Sequence, residues 1–588
     1  MINMVITMHI SFSKSKNAEL IYIIKTVTIN GKRTSKTVES LGDMEELMKK
    51  NNMSREEVIA WAKERAKLLT LQEKNNERTI IIKYSPTEQI EKNHQRYFCG
   101  GYIFLKQILH ELKFSELCRE IKAEYQFKFD LTEILSTLIF TRILSPSSKK
   151  ASFLIAQNYL EAPDFEIQHV YRALSIIAKE KSKIEAALYY RSSKVLPRHT
   201  GVLYFDCTNF FFEIDEEDEL KKYAKSKENR PNPVVQMGLF LDGNGIPLSF
   251  CINPGSTNEN TTLIPLESQM IKDFQISKCV VCTDAGIASE ENRIFNKIGQ
   301  RSYIVTQSIK KLKKHLKIWA LADTGWHYPG ESHMKAAKKE KNIVLSKLDE
   351  KDEEVFERIY YKERWIVENG LEQRLIVSYS PKYKAYQRKI RDKQIERAQA
   401  MIDKGTRRKG KNQNDPARFI SEIQTTPAGE IAEEVYQTLD HKKIKEEEKY
   451  DGFYAVCTTL EDNVTEIIKI NRRRWEIEES FRIMKSEFKA RPVYLKRNDR
   501  IIAHFTTCFL ALLVYRLLEQ KLEDKYTVTQ IISTLKSMNF LHHQGEGYIP
   551  TYTRTDLTDD LHEILGHRTD TQIVPEKTFK KIFKDIKL

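Results

Sequence analysis

What this 588-residue chain lacks narrows its reading first. It has no uninterrupted apolar run of bilayer length: the best stretch, Ile501 to Leu518, carries His504 and Arg516 and fits a buried helix better than a membrane span. Met1 to Phe12 shows no succession of basic start, apolar run and small-residue cleavage site, so the expectation is a cytoplasmic protein without a secretory leader. Cysteine is sparse and scattered. Its eight positions (99, 118, 207, 251, 279, 282, 457 and 508) fall mostly in apolar runs, which suits reduced, buried thiols rather than disulfides. Cys279 and Cys282 form one CxxC pair, yet no second CxxC or HxxxH completes four zinc ligands, and the adjacent His542 and His543 point apart on helix or strand. Nothing in the pattern calls for a small-molecule cofactor.

What is present is length and positive charge. At this length a single core gives way to roughly three to five structural units. The formal net charge is +14 and the pI about 9.0, which favours a polyanionic partner; with no membrane anchor in view, that partner is nucleic acid.

Six segments follow from the patterning. Residues 1–98 alternate around His9–Phe12, Ile21–Ile29 and Thr34–Ser40. Asn30-Gly31 marks a hairpin, and Ser54 with Glu57 forms a capping box that opens a helix to about Leu71. This small sheet plus helix is either a DNA-end recognition module or a packing appendage. Residues 99–198 read as helical, with Ser145-Pro-Ser-Ser-Lys-Lys150 as a capped turn or a phosphate contact. Residues 199–309 order as β, β, β, α, β, α, β, a mixed α/β unit. Residues 310–450 form a basic insertion that includes the tract Gly405-Thr-Arg407-Arg408-Lys409-Gly-Lys411, either a solvated face or a surface that tracks phosphates. Residues 451–520 return to strand and then helix, and residues 521–588 are a C-terminal region with no chemistry of their own.

Three acids stand out against this background. Val202-Leu-Tyr-Phe-Asp206 and Lys278-Cys-Val-Val-Cys-Thr-Asp284 are apolar strands that end on a carboxylate, where sites in such sheets gather. Read as one helix, Asn471 to Lys485 carries an apolar stripe of Ile477, Phe481, Met484 and Phe488. Along its edge run Arg474, Glu478, Arg482 and Lys485, a carboxylate flanked by cations. Glu479, the alternative acid, lies about 100° round the helix.

Two strand-end aspartates, a helical glutamate and their order resemble a DDE transposase of a bacterial insertion sequence. The narrower resemblance is to the insertion-sequence-four type, in which a strand-rich insertion precedes a Glu helix patterned Tyr, two residues, Arg, three residues, Glu, six residues, Lys. Arg474, Glu478 and Lys485 keep that spacing and Asn471 replaces the tyrosine. The segment Tyr223 to Pro231, which carries Lys225, Lys227 and Arg230, the Gly243–Pro247 hairpin and Asn253-Pro-Gly255 resemble the first half of the same domain.

The resemblance implies a ribonuclease-H-like α/β core (a mixed sheet with flanking helices) interrupted by a large inserted domain. Asp206, Asp284 and Glu478 would be catalytic and would hold two Mg²⁺ ions, for which Mn²⁺ can substitute. Asn471, Arg474, Arg482, Lys485, Lys225, Lys227, Arg230, Arg407, Arg408 and Lys409 would contact DNA. Metal-dependent cleavage at transposon ends and strand transfer into target DNA would follow, by cut-and-paste through a hairpin, with a flipped base held by Trp319, Trp326, Trp365 or Tyr450. The partners implied are the terminal inverted repeats, target DNA and a second copy in a dimer on DNA; the protein would be nucleoid-associated when bound. A nuclease or resolvase on the same fold, or an inactive DNA-binding descendant, are the alternatives.

Overall fold

The computed structural model describes residues 8–15, 18–29, 32–76, 82, 84–224, 226, 227, 230–328, 343–406, 414–425 and 431–588. They fall into two compact units, Met1–His94 and Gln95–Leu588.

In the first unit, strands β1 (Met8–Lys14), β2 (Glu19–Ile29) and β3 (Lys32–Asp43) form an antiparallel sheet in that order. Alternation turns Met8, Ile21 and Ile23 to one face, where they pack on Val58, Ala62 and Ala66 of the helix Arg55–Asn76. That helix opens on the expected capping box: Glu57 N–H donates to Ser54 Oγ at 3.3 Å, and Ser54 N–H donates to Glu57 Oε2 at 2.7 Å.

The second unit is built on an eight-stranded mixed sheet. Its strands are β5 (Val202–Phe211), β6 (Val234–Asp242), β7 (Pro247–Pro254), β8 (Val280–Thr283), β9 (Ser302–Thr306), β10 (Tyr360–Glu368), β11 (Leu371–Tyr379) and β14 (Phe453–Thr458), ordered β10-β11-β14-β9-β8-β5-β6-β7. Only β5–β8 and β8–β9 run parallel. Residues 310–450, expected as an insertion, contribute β10 and β11 to this sheet. They also supply the helix Pro381–Asp403 and a separate ribbon of β12 (Ile420–Thr425) and β13 (Ile431–Leu439).

Two cores sandwich the middle of the sheet. Leu203, Phe205 and Cys207 of β5 face a cluster with Leu263, Leu266 and Met270 of the helix Leu263–Phe274. Tyr204, Phe210 and Phe212 face the larger core, centred on the helix Asn498–Lys521. That helix is long and apolar enough to cross a bilayer, and 94% of its most apolar 18-residue stretch is buried. Cys279 and Cys282 belong to opposite cores, as residues three apart on an extended chain must. A short sheet of β4 (Tyr97–Cys99), β15 (Asn539–His543) and β16 (Gly547–Pro550) joins the two ends of this unit.

Two expectations need correction. Asp206 does not end its strand. β5 runs on to Phe211 because Phe210 and Phe211 continue the ladder with β6. Nor is Asn471–Lys485 one helix. A first helix, Val464–Arg472, tightens where Arg473 and Arg474 N–H donate to the carbonyls of Ile470 and Asn471, three residues back. A second, Trp475–Arg482, then starts at Arg474 and passes into a π-helical turn, Ile483–Glu487. The apolar stripe survives the break: Ile477, Phe481, Met484 and Phe488 are all buried.

Candidate active site

β5 sets the floor of the site through its period of two. Tyr204, Asp206, Thr208 and Phe210 share the face turned to the second of these helices. Tyr204 Oη donates to the Ile470 carbonyl at 3.0 Å, Lys485 Nζ donates to Thr208 Oγ1 at 2.6 Å, and Phe210 packs on Phe505 with ring centroids 4.9 Å apart. Asp206 thus lies between Tyr204, tied to the first of the two helices, and Thr208, tied to the π turn through Lys485.

Asp284 arrives by register. β5 and β8 pair Val202 with Val280, Leu203 with Val281 and Tyr204 with Cys282, and carrying that parallel register two residues further sets Asp284 beside Asp206. Asp284 lies just past the end of β8, where its Oδ1 accepts the N–H groups of Gly286 (2.8 Å) and Ile287 (3.1 Å). The Asp206 carboxyl is pushed up to about 6 by burial; Lys227 opposes the shift and the neighbouring Asp284 adds to it.

Glu478 is exposed and lies 3.6 Å from an Arg474 guanidinium nitrogen. Arg474 in turn is close enough to Asp206 for the two to feel each other's charge. The three acids therefore share one cationic neighbourhood made of Arg474, Lys227 and Lys485. Burial presses the Lys485 ammonium down to about 8, aided by Lys227 and opposed by Asp206. Lys227 Nζ donates to the Cys207 carbonyl at 2.6 Å and lies 3.5 Å from Glu259.

The neighbouring acid, Glu479, is committed elsewhere: it pairs with Arg482 at 3.1 Å and with the buried Arg516 at 3.4 Å. Arg516 also donates to Ser480 Oγ at 3.0 Å and to Glu519 at 2.6 Å, which bolts this helix to the core helix.

The other expected contacts are spread more widely. Asn471 is buried, and its Oδ1 faces the Cys282 thiol at 3.8 Å. Arg482 is exposed, and Arg230 stacks over the Phe211 ring at 4.8 Å. Lys225, Arg407, Arg408 and Lys409 lie outside the described residues. Of the aromatics considered for a flipped base, Trp326 is fully buried, Trp319 lies under Lys362 and Arg364, Tyr450 lies under Lys310, and Trp365 is exposed on β10.

A cavity of about 310 Å³ instead opens beside Glu478, lined by Asn471, Arg474, Trp475, Tyr454 and Tyr383. Trp475 is 56% exposed. Sequence reasoning passed over Thr208, Tyr454 and Trp475; the period of two from Asp206 was the one signal that pointed to Thr208.

The donor chemistry fits divalent cations. Two carboxylates sit side by side, one of them partly buried and raised by burial and by its neighbour, a repulsion that a hard cation relieves. Among the described residues, the one trio of ligand-type atoms within 4.8 Å of one another is Asp559, His562 and Asp570. That trio is already satisfied: Arg554 and Arg568 pair with its carboxylates, and both His562 nitrogens are hydrogen-bonded, to Thr558 and Thr569.

Comparison with known proteins adds a family. A model of the transposase DDE domain matches residues 209–514, a span that starts three residues after Asp206 and includes Asp284 and Glu478. No curated protein sequence matches the chain. Among solved structures, a piggyBac transposase synaptic complex with hairpin DNA covers 84% of this chain and 88% of its own, at 7% identity and a TM-score of 0.34.

Proposed function

Because the chain belongs to the transposase DDE-domain family, we propose that this DNA transposase cleaves transposon ends and joins them to target DNA with Asp206, Asp284 and Glu478 as its catalytic acids. The observation that carries this reading is the register of β5 and β8, which brings the two aspartates side by side on the sheet face that packs against the helix of Glu478.

The three carboxylates would hold Mg²⁺, with Mn²⁺ as a substitute, and two such ions supply an activated attacking oxygen and a stabilised leaving oxygen. The chain's own residues do the rest. Arg474, rigid at the start of the helix, offers a planar fork to a phosphate next to the scissile bond. Lys485, fixed by Thr208, presents a point charge on the same face. Lys227, which donates to the Cys207 carbonyl of β5, and Arg230 extend that positive rim. The core helix behind Asp206 excludes water from the back of the site and fixes the acids against a rigid wall.

The spacing of Arg474, Glu478 and Lys485 supports the insertion-sequence-four type and a ribonuclease-H-like core. In that reading the strands and helices of 310–450 are the insertion before the Glu helix, and residues 1–98 and 99–198 are accessory. A hairpin route is supported by the cavity beside Glu478, where Tyr454, Trp475 and Tyr383 offer π faces to a base turned out of the stack. Excision by this route requires both ends to be held together, hence a dimer on DNA.

The test is to incubate the full chain with duplexes cut from the DNA that flanks its reading frame, a target plasmid, and Mg²⁺ or Mn²⁺. Joined products are expected from the wild type and none from Asp206→Ala, Asp284→Ala or Glu478→Ala. Full end cleavage by Asp206→Ala would remove it from the site.

A further inference from the structure

Among the described residues, every buried lysine or arginine but one is answered by an acid or a carbonyl. Arg391 pairs with Asp451 at 2.6 Å and Arg516 with Glu519 at 2.6 Å, while Arg374 pairs with Glu363 and Lys221 with Asp218. Lys362 donates to the Ala322 carbonyl at 2.9 Å. Arg142 donates to the carbonyls of Phe488 (3.1 Å), Lys489 (3.4 Å) and Ser147 (3.2 Å). The exception is Lys149, which is 6% exposed and whose Nζ is shut from solvent with no hydrogen-bond partner.

Lys149 sits in a pocket of unmet donors. Arg142 is bonded to the Ser147 carbonyl, two residues before Lys149, and the two cations are close enough to repel. The Arg142 Nε and the Ser147 Oγ are likewise buried and unpartnered. From the helix Asn498–Lys521 come His504, whose Nε2 donates to the Ala490 carbonyl at 3.0 Å, and Cys508, whose sulfur lies 3.8 Å from that nitrogen. Both feel the charges of Arg142 and Lys149, which places the two cations around one spot.

No carboxylate answers them. The charges that act on Lys149 are Arg142 and the Cys508 thiol, and those that act on His504 are Arg142 and Lys149. Burial, aided by Arg142, presses the Lys149 ammonium down to about 7. Lys149 also opens the helix Lys149–Ala156, and its Cα–Cβ bond tilts toward the N-terminal end, where the helix dipole is positive.

Taking an ammonium out of water without a counter-charge is costly, and unmet buried donors in a native fold mark a water or an ion that completes them. Water would meet the hydrogen bonds and leave the repulsion between Lys149 and Arg142 in place; an anion meets both. Because Nζ and Nε are shut from solvent, the guest is small. We propose that Lys149, Arg142 and Ser147 hold a small inorganic anion, a halide or a phosphate. It would brace the chain at Phe488–Ala490, which Arg142 and His504 grip directly after the π turn that carries Lys485.

The test uses the full chain without DNA or divalent metal. Melting temperature is read at constant ionic strength while sodium gluconate, whose anion is too bulky for the pocket, is exchanged for sodium chloride, bromide or phosphate. A small anion should raise the wild-type melting temperature saturably, by about 2–4 °C at a hundredfold excess over its dissociation constant. Saturation by halide alone makes the guest a halide; saturation by phosphate alone makes it an oxyanion. Lys149→Met keeps the stem and removes the charge, so it should melt above the wild type in gluconate and show no saturable rise.

Crystals of the wild type grown with bromide or with phosphate give a reading that does not depend on the variant. An anomalous bromide peak or tetrahedral density beside Lys149 Nζ is expected. Only a water at that place, no saturable rise in the wild type, or an equal rise in Lys149→Met, the mark of a general salt effect, overturns the proposal. Neither readout involves Asp206, Asp284 or Glu478, so the anion site and the transposase reading fail separately.

Discussion

Asp206 carries an electrostatic cost in the site, and its sign is testable without DNA. Its folded carboxyl, at about 6, is raised above the ordinary 3.8. A raised carboxyl favours folding fully below the unfolded value, and that contribution is lost as pH rises through the folded one. In chelator, Asp206→Asn should therefore match the wild type near pH 4 and exceed it by up to about 3 kcal/mol at pH 7.5. Added Mn²⁺ should reverse the order, because it raises the melting temperature of the wild type and not of the variant; thermal denaturation with and without metal reads both effects. Glu478 and Glu479 separate in a different way. Glu478→Gln should lower metal-dependent nicking of plasmid DNA by about a thousandfold or more at an unchanged melting temperature, since the carboxylate is exposed and its one close partner is Arg474. Glu479→Gln should keep its nicking but cost about 1–3 kcal/mol of stability, because buried Arg516 loses a charged partner. That Glu478 and Glu479 point to different sides of the helix needed only the helical angle and was legible from sequence. The closeness of Asp206 and Asp284 was not, because a register between strands nearly eighty residues apart leaves no local mark.

At the scale of elements, the helix that carries Glu478 was legible as an amphipathic stripe, since burial of Ile477, Phe481, Met484 and Phe488 depends on a period that sequence displays. Its interruption was not. Backbone bonds to the third residue back at Arg473 and Arg474, and the π turn at Ile483–Glu487, answer to tertiary packing against β5 and the core helix, not to propensity. Likewise β5 ran past Asp206 because Phe210 and Phe211 pair with β6, a partner that lies across a loop. The break leaves Arg474 at the mouth of the second helix and the π turn leaves Lys485 on Thr208, so both cations are fixed by backbone geometry. Lys485→Met should leave the Mn²⁺-induced thermal shift intact and lower DNA nicking by about tenfold to a hundredfold, the loss of one charge-assisted phosphate contact. The Lys485 ammonium sits at about 8, depressed, so its charge is complete at pH 6.5 and mostly lost by pH 9. Wild-type nicking should fall over that interval more steeply than that of Lys485→Met, and pH profiles of the pair decide it.

The molecule as a whole is held by contacts between distant parts of its sequence. β10 and β11 enter the sheet from a charged segment expected as an insertion, in which only Ile376–Ser380 reads as a strand, and β14 returns after them to pair with both β11 and β9. The pairing of β4 with β15 brings Tyr97–Cys99 against Asn539–Leu541, and Gly101 packs so tightly on Leu535 that an added methyl would lie 1.8 Å from its carbonyl oxygen. These closures make Gln95–Leu588 one cooperative body that contains all three acids, Arg474, Lys227 and Lys485. Met1–His94 has its own sheet, helix and small core. A chain of residues 95–588 should therefore melt in one transition, keep the Mn²⁺-induced shift, and nick plasmid DNA within about threefold of the full protein. Differential scanning calorimetry and plasmid nicking would be run on the two proteins side by side. Loss of the metal shift in the shorter chain would mean that the first unit helps to build the acidic site.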